Sequence, residues 1–146
     1  MEIRRCTTEE LPLVLEMSDA FVAENCCNGM VRDDLEYLQK YEILIAWNGK
    51  TPIGYAYGAV DTAEKNVGQT QKGERYFDIE EIYVRPEYRG TGCGKALFAA
   101  LEEQAREKGC QSIQLVAVAK DYKRLLHFYI DLLGMEFWNA FLTKRV

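Results

Sequence analysis

The sequence predicts an α/β fold with one mixed β-sheet flanked by helices. Three strand candidates follow one another in the middle of the chain, and the Asn48-Gly49 dipeptide stands between the first two. In the second half, helical and strand patterns alternate, which is typical of parallel strand pairs. The 146 residues also match the usual size of one domain, so we expect a single domain over residues 1–146.

The first 60 residues contain a strand, two helices and a hairpin. Residues 2–6 are a predicted short strand, and Thr7 or Thr8 begins a helix in which Pro12 fits only the first turn. A second helical stretch covers about 31–41. Since Asn-Gly between apolar runs is a strong hairpin signal, strands at 42–47 and 52–60 are predicted to pair antiparallel.

The remaining chain begins with a polar stretch at 61–74, predicted to be a surface loop, and a long strand over Arg75–Val84. A helix is predicted over 92–108, where Gly109 ends it. Residues 113–118 form a continuous apolar run, as in a strand buried on both faces. Helical spacing returns at 122–133, and the aromatic-rich stretch 136–144 is predicted to close the sheet.

Composition and charge argue against several classes of protein. The formal net charge is −5, and no Lys/Arg-rich run is present, so we expect no nucleic-acid partner. No apolar stretch approaches the length of a membrane span, so no membrane partner is expected. His127 is the only histidine and no CxxC pair occurs, which argues against a metal site. The odd number of cysteines, five, and the lack of a signal-type N-terminus indicate a cytoplasmic protein with reduced thiols.

The most informative segment runs from Tyr83 to Lys95 and combines the end of a strand, a short turn and a Gly-rich helix start. Its glycines permit unusual backbone angles and close approach. They are Gly90, Gly92 and Gly94. Consecutive N–H groups at such a turn form an anion-binding nest, and the helix dipole adds to it. With Arg89 and Lys95 at its ends, the segment is suited to a pyrophosphate.

Two well-known phosphate motifs do not match this segment. A Walker A loop requires four residues between its first Gly and the Gly-Lys pair, but only three separate Gly90 from Gly94. Ala96 also stands where that motif needs Ser or Thr as a magnesium ligand. The dinucleotide fingerprint requires GxGxxG, whereas this chain has GxGxG.

A third pattern fits. Residues 89–94, Arg-Gly-Thr-Gly-Cys-Gly, resemble the R/Q-x-x-G-x-G/A signature of the GNAT superfamily of N-acetyltransferases. Residues 82–88 resemble the strand and turn that lead into it, and Phe128-Tyr129 with 133–137 resembles the family's FYxxLGF region. The resemblance covers nearly the whole chain. It implies a GNAT-like fold and an acetyl-CoA-dependent N-acetyltransferase domain over residues 1–146.

The resemblance also implies site residues. The loop and helix start would hold the coenzyme A pyrophosphate. These positions are Arg89, Gly90, Thr91, Gly92, Cys93, Gly94 and Lys95. The backbone of Ile82, Tyr83 and Val84 would pair with the pantetheine arm. A bulge in this strand would splay it from the strand at 113–118 and open a slot for the thioester.

Acetyl transfer to an amine needs a base, because an alkyl amine with a pKa near 10 is only about 0.1% neutral at pH 7. Glu80 and Glu81 lie on the strand that ends at this site, and alternation sends them to opposite faces, with Glu80 on the face of Asp78, Ile82 and Val84. Glu80 is the preferred base, since polyamine acetyltransferases of the family carry a similar glutamate. Glu81 is the second candidate.

The resemblance also implies an acid, and the residues themselves offer an oxyanion-binding group and a competing nucleophile. Tyr129 is the candidate acid for the departing thiolate, and the Val84 N–H is suited to stabilise the oxyanion. Covalent catalysis through Cys93 at a helix N-terminus is a competing route.

A non-catalytic acyl-CoA-binding or sensing module is the rival function. The acceptor amine is left open among a polyamine, an aminoglycoside, an amino acid, a protein N-terminus and a lysine. A homodimer through the aromatic residues 137–141 and the edge strands is a further prediction.

Overall fold

The computed structural model describes residues 1–146, and its strands form one sheet in the order β1-β2-β3-β4-β5. The strands are β1 (Glu2–Arg5), β2 (Leu44–Asn48), β3 (Thr51–Thr62), β4 (Arg75–Val84) and β5 (Ser112–Leu115). Neighbouring strands are antiparallel except β4 and β5, which are parallel. The mixed sheet is therefore confirmed.

Four helices surround this sheet. They are α1 (Leu11–Ala23), α2 (Leu35–Leu38), α3 (Cys93–Glu107) and α4 (Tyr122–Leu126), which continues as a π-helix over His127–Leu132. Pro12 lies in the first turn of α1, as predicted. The predicted hairpin joins β2 to β3, and its two-residue turn, Gly49-Lys50, uses a positive φ of 60° at Gly49.

The sheet has an apolar core on each face. On one face, Leu97 and Leu101 of α3 pack against Phe77 and Ile79 of β4. The other face packs against α1 and α2 and is rich in tyrosine. Its buried residues are Leu11, Val14, Met17, Leu38, Ile43, Ile45, Tyr55, Tyr57 and Tyr83. Truncating a core residue such as Leu101 to Ala should destabilise the fold by about 2–5 kcal/mol.

One predicted helix is shorter than expected, and one predicted strand is longer. The helix predicted at 31–41 is a single turn, because the Asp34 carboxylate caps Leu35–Leu38 by accepting from the Tyr37 N–H at 2.8 Å. Strand β3 extends to Thr62, into the predicted loop, because its last residues pair with Arg75 and Tyr76.

The prediction of a strand buried on both faces at 113–118 is wrong. Strand β5 ends at Leu115, none of its residues is fully buried, and the side chain of Val116 is 82% exposed. The physical reason is that pairing with β4 stops at Ile79–Leu115, so the following residues have no neighbouring strand.

The prediction of a closing strand at 136–144 is also wrong. Residues 136–146 contain no strand, and none of their backbone groups is hydrogen-bonded within the chain. Strand-like residues need a neighbouring edge, and this segment pairs with none in the chain. Phe141, for example, is 92% exposed.

Candidate active site

The turn before α3 requires glycine for its backbone angles. Gly90 and Gly92 have φ of 78° and 90°, in the left-handed region that other residues rarely adopt. A Cβ at either position would meet no atom within 4 Å. Glycine is therefore required at these two positions for its backbone conformation, since there is room for a larger side chain.

The N-terminus of α3 presents free amide groups. Gly92 is the N-cap, and no side chain caps the helix. The first bond of the helix runs from the Ala96 N–H to the Gly92 carbonyl at 3.0 Å. The N–H groups of the first turn, Cys93 to Lys95, consequently have no partner in the helix. Together with the dipole of a 15-residue helix, these N–H groups are suited to binding an anion.

The Arg89 side chain is hydrogen-bonded to two other elements. Its Nε donates to the Val84 carbonyl at 2.9 Å, and its Nη2 lies 2.8 Å from both carboxylate oxygens of Glu24. Arg89 thus links the end of β4 to the end of α1.

Cys93 is buried, and burial raises the pKa of its thiol. A thiolate nucleophile needs a lowered pKa, so the raised pKa argues against Cys93 in that role.

A bulge in β4 lies at the centre of the site. Tyr57 of β3 pairs with Glu81 and the next residue, Gly58, pairs with Ile79, so Glu80 has no partner on β3. A Cβ at Gly58 would lie 2.2 Å from the Asp78 carbonyl, so this close approach requires glycine. Pairing of β4 with β5 ends at the same level, and the two strands separate beyond it.

The open edge of β4 carries free backbone groups. The Arg85 N–H donates to the Ile53 carbonyl on β3 at 2.9 Å. Since backbone groups alternate along a strand, those of Ile82 and Val84 point away from β3 and into the gap left by β5. Among them, the Val84 carbonyl already accepts from Arg89. The Tyr83 side chain lies instead in the tyrosine-rich core, with its ring centroid 5.7 Å from that of Tyr55.

The bulge also changes which face each carboxylate occupies. On the N-terminal side of the bulge, the odd-numbered residues Phe77 and Ile79 face α3. On its C-terminal side, the even-numbered residues Ile82 and Val84 face α3, because the extra residue of the bulge shifts the alternation by one. The prediction that Glu80 shares a face with Asp78, Ile82 and Val84 is therefore wrong.

Glu81 lies on the tyrosine-rich face, where its carboxylate accepts a hydrogen bond from the Tyr55 hydroxyl. Glu80 is exposed. Burial raises the pKa of Tyr37 on α2, and the charge of Glu80 contributes to this shift.

The environment of Glu81 favours its neutral form. Burial raises its pKa to about 7, the charges of Asp33 and Glu80 add to this, and the Tyr55 hydroxyl opposes it. Burial, with the charges of Glu80 and Asp61, likewise raises the pKa of Asp78 to about 6. Carboxyl groups titrating near neutrality are typical of acid–base sites.

Asp33 is a site residue that the sequence did not indicate. Its Oδ2 accepts from Ser18 Oγ at 3.0 Å and from the Tyr57 hydroxyl at 3.2 Å. It lies in the loop between α1 and α2, where no local pattern distinguishes it from its neighbour Asp34. The one related signal in the sequence is Ser18, a polar residue among the apolar residues of α1. In the structure Ser18 is buried and therefore needs a polar partner.

Tyr129 lies on the π-helix, and its ring packs edge-on against Phe128 at a centroid distance of 5.1 Å. Its hydroxyl has no hydrogen-bond partner in the protein, and burial raises its pKa to about 12, with a further contribution from Cys27. Cys27 also lies near Glu81 and forms an isolated bridge with Ala119. The loop after α1 therefore contacts the chain beyond β5 and brings Glu81 and Tyr129 to the same region.

Two further features bear on function. No group of three or more His, Cys, Asp or Glu side chains is arranged to hold a metal ion. None of the helices combines the length and apolar character needed to cross a membrane.

Comparison with known proteins places the chain in a family. A model of the acetyltransferase (GNAT) family matches residues 12–135. A thialysine N-epsilon-acetyltransferase from Bos taurus is 39% identical over 77 residues, which are 49% of this chain and 44% of that protein. A glucosamine 6-phosphate N-acetyltransferase from Trypanosoma brucei brucei is 46% identical over 46 residues, 32% of this chain and 31% of that one. The matched regions thus span less than half the length of these relatives.

The solved structure of the aminoglycoside N-acetyltransferase AAC(6')-Iy in complex with CoA has the same fold. It superposes with a TM-score of 0.71 at 20% identity, over 99% of this chain and 98% of the other. The fold, the Gly-rich helix start and the family match agree, and the chain belongs to the acetyltransferase (GNAT) family.

Proposed function

We propose that this protein is an N-acetyltransferase that moves the acetyl group of acetyl-CoA onto an amine by direct attack. The opened edge of β4 is the observation that carries the proposal. It connects the free amides of a helix start at one end to a half-buried carboxylate, Glu81, with a pKa of about 7 at the other. A thioester lying along this edge would place its carbonyl beside that carboxylate.

The free backbone groups fit coenzyme A. The amides at the start of α3 would bind the pyrophosphate. The backbone groups of Ile82 and the Val84 N–H would pair with the amides of the pantetheine arm, while the Val84 carbonyl stays bound to Arg89. Gly90, Thr91 and Gly92 would shape the turn, and Lys95 would add positive charge. In this assignment Arg89 positions the turn through its bonds to Val84 and Glu24.

Glu81 is the base that the geometry favours. A general base is most effective when its pKa lies near the working pH, and burial gives Glu81 such a pKa. Glu80, the first choice from the sequence, is exposed and lies at the bulge. In this proposal Glu81 takes a proton from the ammonium group of the acceptor, and the resulting neutral amine attacks the thioester carbonyl. Glu80 adds negative charge at the exposed side of the site.

Tyr129 is the proposed acid. Its raised pKa, about 12, keeps the phenol protonated throughout the working pH range, and its hydroxyl is unengaged. The proton would pass to the coenzyme A sulfur as the carbon–sulfur bond breaks. The Val84 N–H at the open edge would stabilise the oxyanion on the acetyl carbonyl.

The charge of the site supports a cationic acceptor. Asp33, Glu80 and Glu81 lie together, and no Lys or Arg forms a salt bridge with any of them, whereas Glu10, Glu24 and Glu42 elsewhere are each paired. Two partly exposed tyrosine rings, Tyr37 and Tyr41, lie on the same face of the sheet, and aromatic faces attract cations. A relative named for acetylating thialysine supports the same substrate class, a small amine.

Turnover of acetyl-CoA with an amine panel tests the proposal. The panel contains a linear diamine, a basic amino acid, an amino sugar phosphate and a neutral-chain monoamine, and free-thiol release reports transfer. We expect the diamine and the basic amino acid to be acetylated best. Binding of acetyl-CoA by calorimetry without turnover of any amine would favour the non-catalytic acyl-CoA-binding module instead.

We further propose that the enzyme acts in the cytoplasm as a homodimer and engages neither nucleic acid nor membranes. The five cysteines are free thiols, which supports a reducing compartment. The net charge of −5 disfavours a polyanionic partner. The exposed apolar residues near the C-terminus support self-association.

A further inference from the structure

The loop after α1 contains the only two cysteines that are adjacent in the sequence, Cys26 and Cys27. Both are free thiols, and both residues are half-buried. Asn25, directly before them, has a φ of 49° and turns the chain away from the end of α1. Asparagine tolerates this left-handed conformation better than most residues do. The turn therefore brings two neighbouring thiols to the end of the helix.

Two backbone hydrogen bonds hold this loop to the part of the chain that follows β5. The Lys120 N–H donates to the Cys26 carbonyl at 2.8 Å. The Asn28 N–H donates to the Val118 carbonyl at 2.9 Å. Cys27 lies between these two bonds, so a rotation of the backbone at the thiol pair must disturb them.

The Cys27 thiol lies among the groups of the candidate active site. Burial raises its pKa to about 11, and the neighbouring Cys26 thiol adds to this shift. The carboxylates of Glu81 and Glu24 act in the same direction. Burial also raises the pKa of Tyr129, and a charge on Cys27 adds to that shift. The thiol pair is thus close to the proposed base, to the proposed acid and to the carboxylate that binds the arginine of the Gly-rich turn.

We propose that Cys26 and Cys27 are a modification site at which a peroxide oxidises the two thiols to a disulfide and thereby suppresses acetyl transfer. The effect on transfer rests on the proposed function, whereas the oxidation itself does not. Each thiol has the other as its neighbour in the chain. A nearby thiol converts a sulfenic acid into a disulfide, which protects the sulfur from irreversible oxidation.

The oxidation proceeds in two steps. Cys26 reacts first, because a thiolate is the nucleophile and the raised pKa keeps Cys27 protonated. The Cys26 sulfur attacks one peroxide oxygen, the O–O bond breaks, and the other oxygen leaves as water with the proton that Cys26 has lost. The Cys27 sulfur then attacks the sulfenic sulfur, and the hydroxyl group leaves as water with the Cys27 proton. The two thiols give up two electrons and two protons, and one peroxide becomes two waters.

The disulfide must change the backbone, because it joins adjacent residues. Consecutive Cα atoms are about 3.8 Å apart across a trans peptide, whereas those of ordinary disulfides are roughly 4.4–6.8 Å apart. The peptide between Cys26 and Cys27 must therefore twist, and the Cys26 carbonyl turns away from the Lys120 N–H. The loop then shifts beside Glu81 and Tyr129. Strained disulfides are reduced easily, which makes the modification reversible.

Peptide mapping and hydrogen exchange after peroxide treatment of the whole protein test the site. Cleavage after Glu24 and Glu36 releases the peptide 25–36, whose only cysteines are the thiol pair. We expect this peptide from the oxidised protein to be lighter by two hydrogen atoms. Exchange of the Lys120 amide should become faster, since its bond to the Cys26 carbonyl is lost. Turnover of acetyl-CoA should fall about 10–100-fold, the scale of a small misplacement at a reacting centre, and return with dithiothreitol.

Two serine variants separate this site from general oxidation. C26S cannot form the disulfide, so we expect its turnover to be the same before and after peroxide treatment. C110S is the matched control, because Cys110 is also half-buried but packs against the core beside α3. We expect C110S to lose and regain turnover as the wild type does.

Four outcomes would overturn the proposal. They are a peptide 25–36 that keeps both thiols after peroxide treatment, an unchanged Lys120 exchange rate in the disulfide form, full turnover by the disulfide form, and a C26S variant that peroxide inactivates as it does the wild type. If the reduced wild type acetylates no amine, the proposed function fails. The peptide mass and the Lys120 exchange rate then still decide whether the disulfide forms and moves the loop.

Discussion

Replacing Glu81 with glutamine should make the protein more stable at pH 8 and remove most of its activity. The carboxyl group is half-buried against Tyr55 and near Asp33, so its ionised form is disfavoured in the folded protein. Glutamine has nearly the same shape, and its amide oxygen can still accept the Tyr55 hydrogen bond. The variant therefore removes the charge and changes little else.

The size of the stability gain follows from the pKa. Folding raises the pKa of Glu81 from 4.5 to about 7, so the folded protein binds this proton more tightly than the unfolded chain. Stability is unaffected by this group below about pH 4.5, falls as pH rises to about 7, and stays lower above that. The full difference is on the order of 3 kcal/mol. We expect E81Q to recover about that amount at pH 8 and almost nothing at pH 4.

Urea denaturation of wild type and E81Q at pH 4 and pH 8 measures the stability difference, and free-thiol release at pH 8 measures turnover. We expect turnover to fall about 10²–10⁴-fold, the usual contribution of a positioned base. Acetyl-CoA affinity should be unchanged. E80Q is the matched control, because Glu80 is exposed and its charge costs the fold little.

Two results would refute this reasoning. Equal stability of E81Q and wild type at both pH values would show that the Glu81 carboxylate is not desolvated. Normal turnover in E81Q, together with a large loss in E80Q, would assign the base to Glu80.

Three other predictions concern the same site. Y129F should lower turnover about 10²–10⁴-fold without changing acetyl-CoA affinity or the melting temperature, whereas normal turnover in a stable variant would make solvent the proton donor. G92V should weaken acetyl-CoA binding about 10–100-fold by calorimetry, because valine rarely adopts a φ of 90°, while G73V, with a similar φ of 89° outside the site, should bind normally. The logarithm of kcat/KM should rise with pH up to about 7 and then level off, following the Glu81 pKa, and this limb should be absent from any residual activity of E81Q.

The local parts of the fold were predictable from the sequence. The hairpin at Gly49 and the helix after Gly92 depend on glycine angles and apolar spacing, which neighbouring residues determine. The sequence therefore predicted the start of α3 to within one residue.

Features that depend on distant contacts were not predictable. Alternation placed Glu80 and Glu81 on opposite faces, and the bulge opposite Gly58 shifts that alternation. The position of Asp33 beside Tyr57 depends on how α1, α2 and β3 pack together. The residues 136–144 have a strand-like composition, but a strand also needs an edge to pair with, which composition does not reveal.

Acetyl transfer from acetyl-CoA to a dicationic amine at pH 8, followed by thiol release and by mass spectrometry of the amine, tests the central claim most directly. The proposed site predicts one N-acetyl group on the amine for each thiol released, with the dicationic amine preferred over a neutral-chain monoamine. It also predicts that E81Q binds acetyl-CoA normally and transfers almost nothing. Tight binding of acetyl-CoA by the wild type, with no acetylated amine from any member of the panel, would contradict it.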